Sequence, residues 1–124
     1  MNKDVRQTVW ERCAGYCEFC GKPLDPETWD FHHRQLGTKL DLVVNGIACC
    51  HGCHLIGIHG NPQIARSQGF IISKYIKADE FSEVRLLLGG GENPSRGKWV
   101  TLTSAGTYAQ ISLRNDYGTG IIIP

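Results

Sequence analysis

Apolar positions Val5, Val9, Trp10 and Cys13 recur close to helical spacing over residues 4–14, with Asp4 in the N-cap place and Gly15 as a stop, so this stretch predicts a helix. Residues 29–33 alternate loosely and carry Trp29 and Phe31, and residues 41–44 form a second apolar run across a polar stretch at 35–39. Together they predict two strands of a hairpin. From Cys50 the pattern changes: residues 50–59 predict a tight turn running into a short helix that ends near Gly60. Asn61 and Pro62 then supply an N-cap and a proline at the first helical position, and Gly69 a stop, which predicts a second short helix. Beyond Phe70 the character is β, with strands predicted over residues 70–73, 84–88, 99–103 and 108–113, separated by the glycine run at 89–91 and a loop at 93–97. There is no internal repeat.

Apolar runs such as those at 42–44, 86–88 and 121–123 fall far short of the ~20 residues needed to cross a bilayer. The first four residues lead into an amphipathic pattern rather than a signal-peptide stretch, so a cytoplasmic protein with no membrane partner is expected. A length of 124 residues suits one domain with a modest core, and 41% hydrophobic against 20% charged residues predicts a folded chain. Thirteen Lys and Arg against twelve Asp and Glu leave a net charge of +1, which neither supports nor excludes a polyanionic partner. The six Cys all lie between 13 and 53 and the five His between 32 and 59. Without an export signal, that clustering points to metal rather than to disulfides.

Cys17-x-x-Cys20 and Cys50-x-x-Cys53 have the spacing of two zinc knuckles, and Gly21 can take the positive φ such a turn often needs. Four thiolates would close a tetrahedral shell around Zn²⁺, with binding energy of about 10 kcal/mol acting as folding energy. A closed site has no open position, so this zinc is expected to be structural; a pair of redox dithiols is the disfavoured alternative. Cys13 falls on the apolar face of the first helix and Cys49 at a strand end, both as core residues.

Adjacent His32 and His33 in a strand point to opposite faces, so one can bind a metal while the other faces substrate. The order His32-His33, Asn45, His54 across strand, strand and helix resembles the HNH endonuclease family, whose core is the ββα-metal fold. Carrying the resemblance are the bracketing cysteine pairs, the string from Trp29 to Arg34 and the string from Asn45 to His54. Residues 60–73 and the stretch from Trp99 are similar to small HNH proteins of tailed bacteriophages of actinobacteria. The resemblance implies an α+β fold: residues 1–73 as a zinc-stapled nuclease core, and residues 74–124 as a β-rich extension on the same domain. It implies a DNA endonuclease with His33 as general base, His32 and His54 as ligands of a catalytic divalent ion (Mg²⁺, Mn²⁺ or Zn²⁺), and Asn45 bracing the loop that aims His33. It further implies a bacterial host cell and a phage DNA-packaging terminase as partner. Asp30, two residues before His32 on the same strand face, is an acceptor behind a ligand or an extra ligand, and Arg34 is a phosphate clamp.

One position departs from the family pattern. A final ligand commonly follows four residues after the His54 position, where this chain has Ile58, and the next histidine is His59. Five residues of ideal helix turn about 500°, which leaves His59 about 140° off the His54 direction. A π-bulge, or a helix end at Gly57, would restore convergence, so His59 stays a candidate ligand, with a phosphate contact or plain exposure as alternatives. His51 is expected to face solvent, Trp10, Trp29 and Phe31 to be core, and the glycine run to be a turn. The alternative to a nuclease is a zinc-stapled nucleic-acid or protein-binding module whose HNH site is inactive.

Overall fold

The computed structural model describes residues 3–111. The end of the strand expected over 108–113 and the apolar run at 121–123 lie outside the described residues. Within them the chain is a mixed α+β structure, and no helix is long and apolar enough to cross a membrane.

The first helix, α1, spans Lys3–Cys13 and stops where Ala14 and Gly15 take φ of 55° and 84°, the left-handed region that no helix continues through. It buries Val9 and Cys13 against the core, and Trp10 stacks on Trp29 with ring centroids 5.5 Å apart. Strand β1, Asp30–His33, pairs antiparallel with β2, Gly46–Cys49, in the register Asp30 to Cys49 and His32 to Ile47. The second strand therefore begins after the predicted residues 41–44. Val43–Asn45 instead form a single tight helical turn, and all four residues of β2 are buried, so no polar alternation marks the strand. A Cβ on Gly46 would collide with the Phe31 ring, which is why the strand opens on glycine.

A wide helical turn spans Cys53–Ile58 and a short helix, α2, spans Pro62–Ser67, stopped by Gly69 at φ 86°. Residues 70–73 are not a strand. Phe70, Ile71 and Ile72 are buried, and a single bridge joins Ile72 to Gln35, where the Ile72 amide donates to the Arg34 carbonyl at 2.9 Å. This segment crosses the core rather than running along a sheet edge, so its apolar run reflects depth.

The predicted β-rich tail forms a second, antiparallel sheet in the order β3 (Leu86–Leu88), β4 (Lys98–Leu102), β5 (Tyr108–Gln110). The glycine run fastens it to the first cysteine knuckle, with the Gly89 amide on the Glu18 carbonyl and the Gly91 amide on the Phe19 carbonyl, each at 2.8 Å. One cluster of buried side chains joins the halves, from Val9, Ile47 and Phe70 to Phe81, Val100 and Leu102. Inside it lies an ion pair: Arg12 donates to both Glu18 oxygens at 2.7 and 2.8 Å and to the Val43 and Gly46 carbonyls. Glu18 also accepts from the Ala48 amide and the Tyr108 hydroxyl, so both charges of the pair are held by further hydrogen bonds.

Candidate metal centres and the histidine site

The sulfur atoms of Cys17, Cys20, Cys50 and Cys53 lie within 4.8 Å of one another. The first pair sits on a turn closed by the Gly21 amide donating to the Cys17 carbonyl at 2.8 Å, with Gly21 at φ 83°, and the Cys20 amide points at the Cys17 sulfur at 3.4 Å. The second pair runs from just past β2 into the wide helical turn. Burial pushes the Cys17 thiol up to about 11 and raises that of Cys53 as well. Cys50 moves the other way: hydrogen bonds from Cys53, Cys17 and Cys20 outweigh its own burial and favour its thiolate. The four sulfurs thus face a common centre. A soft divalent cation that replaces the thiol protons suits this donor set, so the four cysteines could hold a structural metal. Cys13 and Cys49 stand apart as buried thiols, both raised by burial.

Three imidazoles also converge. Donor nitrogens of His32, His54 and His59 lie within 4.8 Å of one another, and their ring centroids are 4.8 to 5.3 Å apart. His32, 1% exposed in the middle of β1, has Nε2 at 2.7 Å from the Phe70 carbonyl, which can only accept. That bond protonates Nε2 and leaves the Nδ1 lone pair for an ion. His54 turns Nδ1 to the Asp30 carboxylate at 2.9 Å, which leaves Nε2 facing the other two rings. Burial drives the His32 pKa down to about 3 and, with the neighbouring His54, lowers that of His59 too, so these two imidazoles favour the neutral form that binds metals.

His59 reaches this group through the backbone. The His59 amide donates to the His54 carbonyl at 3.1 Å, a five-residue hydrogen bond that marks a π-helical turn. The wider turn brings residues five apart onto one face, and the two Nε2 atoms meet at 3.1 Å. Gly57 lets Phe19 press against this turn, since a Cβ there would meet the Phe19 ring at 2.6 Å. The Asn61 side chain does not cap α2 as expected; its Nδ2 donates to the Ile56 carbonyl at 3.1 Å, satisfying an acceptor at the end of the wide turn.

His33 lies with Phe31 on the opposite strand face, ring centroids 5.0 Å apart, and its Nε2 is 2.9 Å from Asp41 Oδ1. Asn45 is fully buried and ties the loop between the strands at both ends: Oδ1 accepts from the Gln35 amide and Nδ2 donates to the Leu40 carbonyl, each at 2.9 Å. Asp30 accepts from His54 and also from His51 at 2.8 Å. Burial works against ionising Asp30, but those two hydrogen bonds hold its carboxyl below the usual range. His51 faces solvent as expected, 69% exposed at its side chain, and is hydrogen-bonded to that carboxylate.

Arg34 is a correction. It is 0% exposed, and its guanidinium donates to the Gly69, Val44 and Val84 carbonyls at 2.9 to 3.1 Å, so it cannot clamp a phosphate. Burial, with the nearby Arg12, lowers its pKa to about 9. Spacing also gives no sign of Asp41, which falls inside a predicted strand, eight residues from its partner. Compared with models of protein families, with curated protein sequences and with solved structures, the chain matched none.

Proposed function

We propose that this protein is a metal-dependent DNA endonuclease of the HNH type, stapled by a structural zinc at Cys17, Cys20, Cys50 and Cys53. The observation that carries this reading is the convergence of His32, His54 and His59 next to a further histidine, His33, that belongs to neither cluster. Three imidazoles would hold the ion and leave its remaining positions open to water and phosphate oxygen. When bound, a divalent ion supplies charge neutralisation at the scissile phosphate and the leaving oxygen. An all-nitrogen donor set suits Zn²⁺ better than Mg²⁺ or Mn²⁺, which prefer oxygen.

The rest of the chemistry falls to the chain. His33 Nδ1 takes a proton from a water whose oxygen bonds to phosphorus as the phosphorus–oxygen bond to the leaving group breaks, and the leaving oxyanion takes a proton from solvent. His33 then returns its proton to bulk water. Asn45 holds the neighbouring loop, so the base is presented in one geometry. The DNA backbone must find its cations elsewhere than at Arg34; a packaging terminase as partner rests on the phage resemblance alone. The test is cleavage of supercoiled plasmid by zinc-loaded protein across Mg²⁺, Mn²⁺ and Zn²⁺ titrations, with a chelator control. Nicked or linear product that vanishes with chelator is expected. DNA binding without cleavage under every ion would favour the inactive binding module.

A further inference from the structure

The loop between β1 and β2 is more heavily fastened than its own packing requires. Leu36, Leu40 and Leu42 are exposed, so the loop contributes little apolar burial. Two buried amide side chains nevertheless hold its backbone. Asn45 binds at Gln35 and Leu40, and Gln35 Nε2 donates to the Ser73 and Ile76 carbonyls, each at 2.9 Å. Thr38 closes on the Gln35 side chain at 3.2 Å, while Gly37 and Lys39 take φ of 90° and 52° to complete the bend. What this fastening delivers is the position of Asp41, whose Oδ1 meets His33 Nε2 at 2.9 Å.

We propose that Asp41 is a positioning residue that fixes the tautomer and direction of His33; its catalytic consequence rests on the nuclease reading above, its effect on the imidazole does not. An ionised carboxylate only accepts hydrogen bonds, so the His33 nitrogen facing it must carry the proton. The other tautomer would set a ring lone pair against a carboxylate oxygen. Nδ1 therefore keeps the lone pair that accepts a proton from water, and the ring is held by Asp41 on one side and the Phe31 edge on the other. As His33 gains its proton, the carboxylate also stabilises the imidazolium that forms, as a carboxylate partner does for other histidine bases.

The experiment pairs nitrogen NMR of the His33 ring, assigned with His33→Gln, with plasmid cleavage kinetics, both on zinc-loaded protein at one mildly alkaline pH. In the parent, Nε2 should show the protonated-nitrogen shift and Nδ1 the lone-pair shift. Asp41→Asn should mix the two tautomers and lower kcat by about tenfold to a hundredfold, as loss of a partner behind a functional group does, with KM and the half-saturating metal concentration unchanged. Asp41→Glu should recover part of the rate. A parent whose His33 carries its proton on Nδ1 overturns the proposal without any variant, and so does an Asp41→Asn protein with unchanged tautomer or unchanged kcat. If the parent cleaves with no ion yet shows the Nε2-protonated ring, the nuclease reading falls and the Asp41 assignment stands.

Discussion

The cysteine cluster and the histidine cluster both draw donors from residues 50–59, and they differ in what stands behind the donor atoms. The four sulfurs ride on two turns whose supports are backbone amides, and four donors close the shell. The three imidazoles are each placed by a different device: a buried carbonyl behind His32, a carboxylate behind His54, and a π-helical turn under His59. Three donors leave positions open. By donor count, the cysteines could close a shell around a structural metal, whereas an ion held by the three imidazoles would keep positions for other ligands.

Cys53→Ala puts this contrast under the greatest strain. Structural zinc is worth about 10 kcal/mol, comparable with the whole stability of a small domain, so the variant should lose cooperative melting, and elemental analysis should fall from about one tightly held zinc per chain to none. A zinc-free protein that melts like the parent would show that the sulfurs do not hold the fold. Next in size is Glu18→Ala. It strands Arg12 in the core beside the first knuckle and should destabilise by about 3–5 kcal/mol in denaturant titration.

At His33, which lies outside both clusters, His33→Ala should leave melting and zinc content unchanged while cleavage slows by about 10² to 10⁴-fold, the usual loss of a general base. A variant that cleaves at the parent rate places the base elsewhere. Asp30→Asn, behind His54, should raise the metal concentration for half-maximal cleavage by about tenfold to a hundredfold with little change at saturation. The smallest effect is assigned to His51→Ala. Its hydrogen bond to Asp30 is at the surface, so the melting free energy should move by less than about 1 kcal/mol.

Local features are legible in the amino-acid sequence. The paired cysteines, α1 with its stop at Gly15, β1, α2 between Pro62 and Gly69, and the second sheet each depend on a spacing or a turn residue within about ten positions. Where pattern and fold part ways, the cause is burial. Apolar alternation puts β2 too early because small residues buried on both faces show no alternation, and residues 70–73 resemble a strand because a deep crossing segment and a strand core have the same apolar run. Arg34 has the look of a phosphate clamp because it is a cation beside two histidines, whereas three carbonyls from distant parts of the chain solvate it inside.

Which residues could bind metal, and which short elements would carry them, follows from the chain's own chemistry, since thiol and imidazole reactivity and knuckle geometry are local properties. Which donors meet is a matter of packing at a distance. His59 converges on His54 because Phe19 packs on Gly57 and Asn61 satisfies the Ile56 carbonyl around a turn of π geometry. Asp41 reaches His33 because Asn45 and Gln35 fasten a loop whose residues 36–40 are exposed. Both outcomes hang on hydrogen bonds and close contacts between residues that spacing does not relate, and on burial, which sets whether an ionisable group faces an ion, a substrate or a backbone carbonyl.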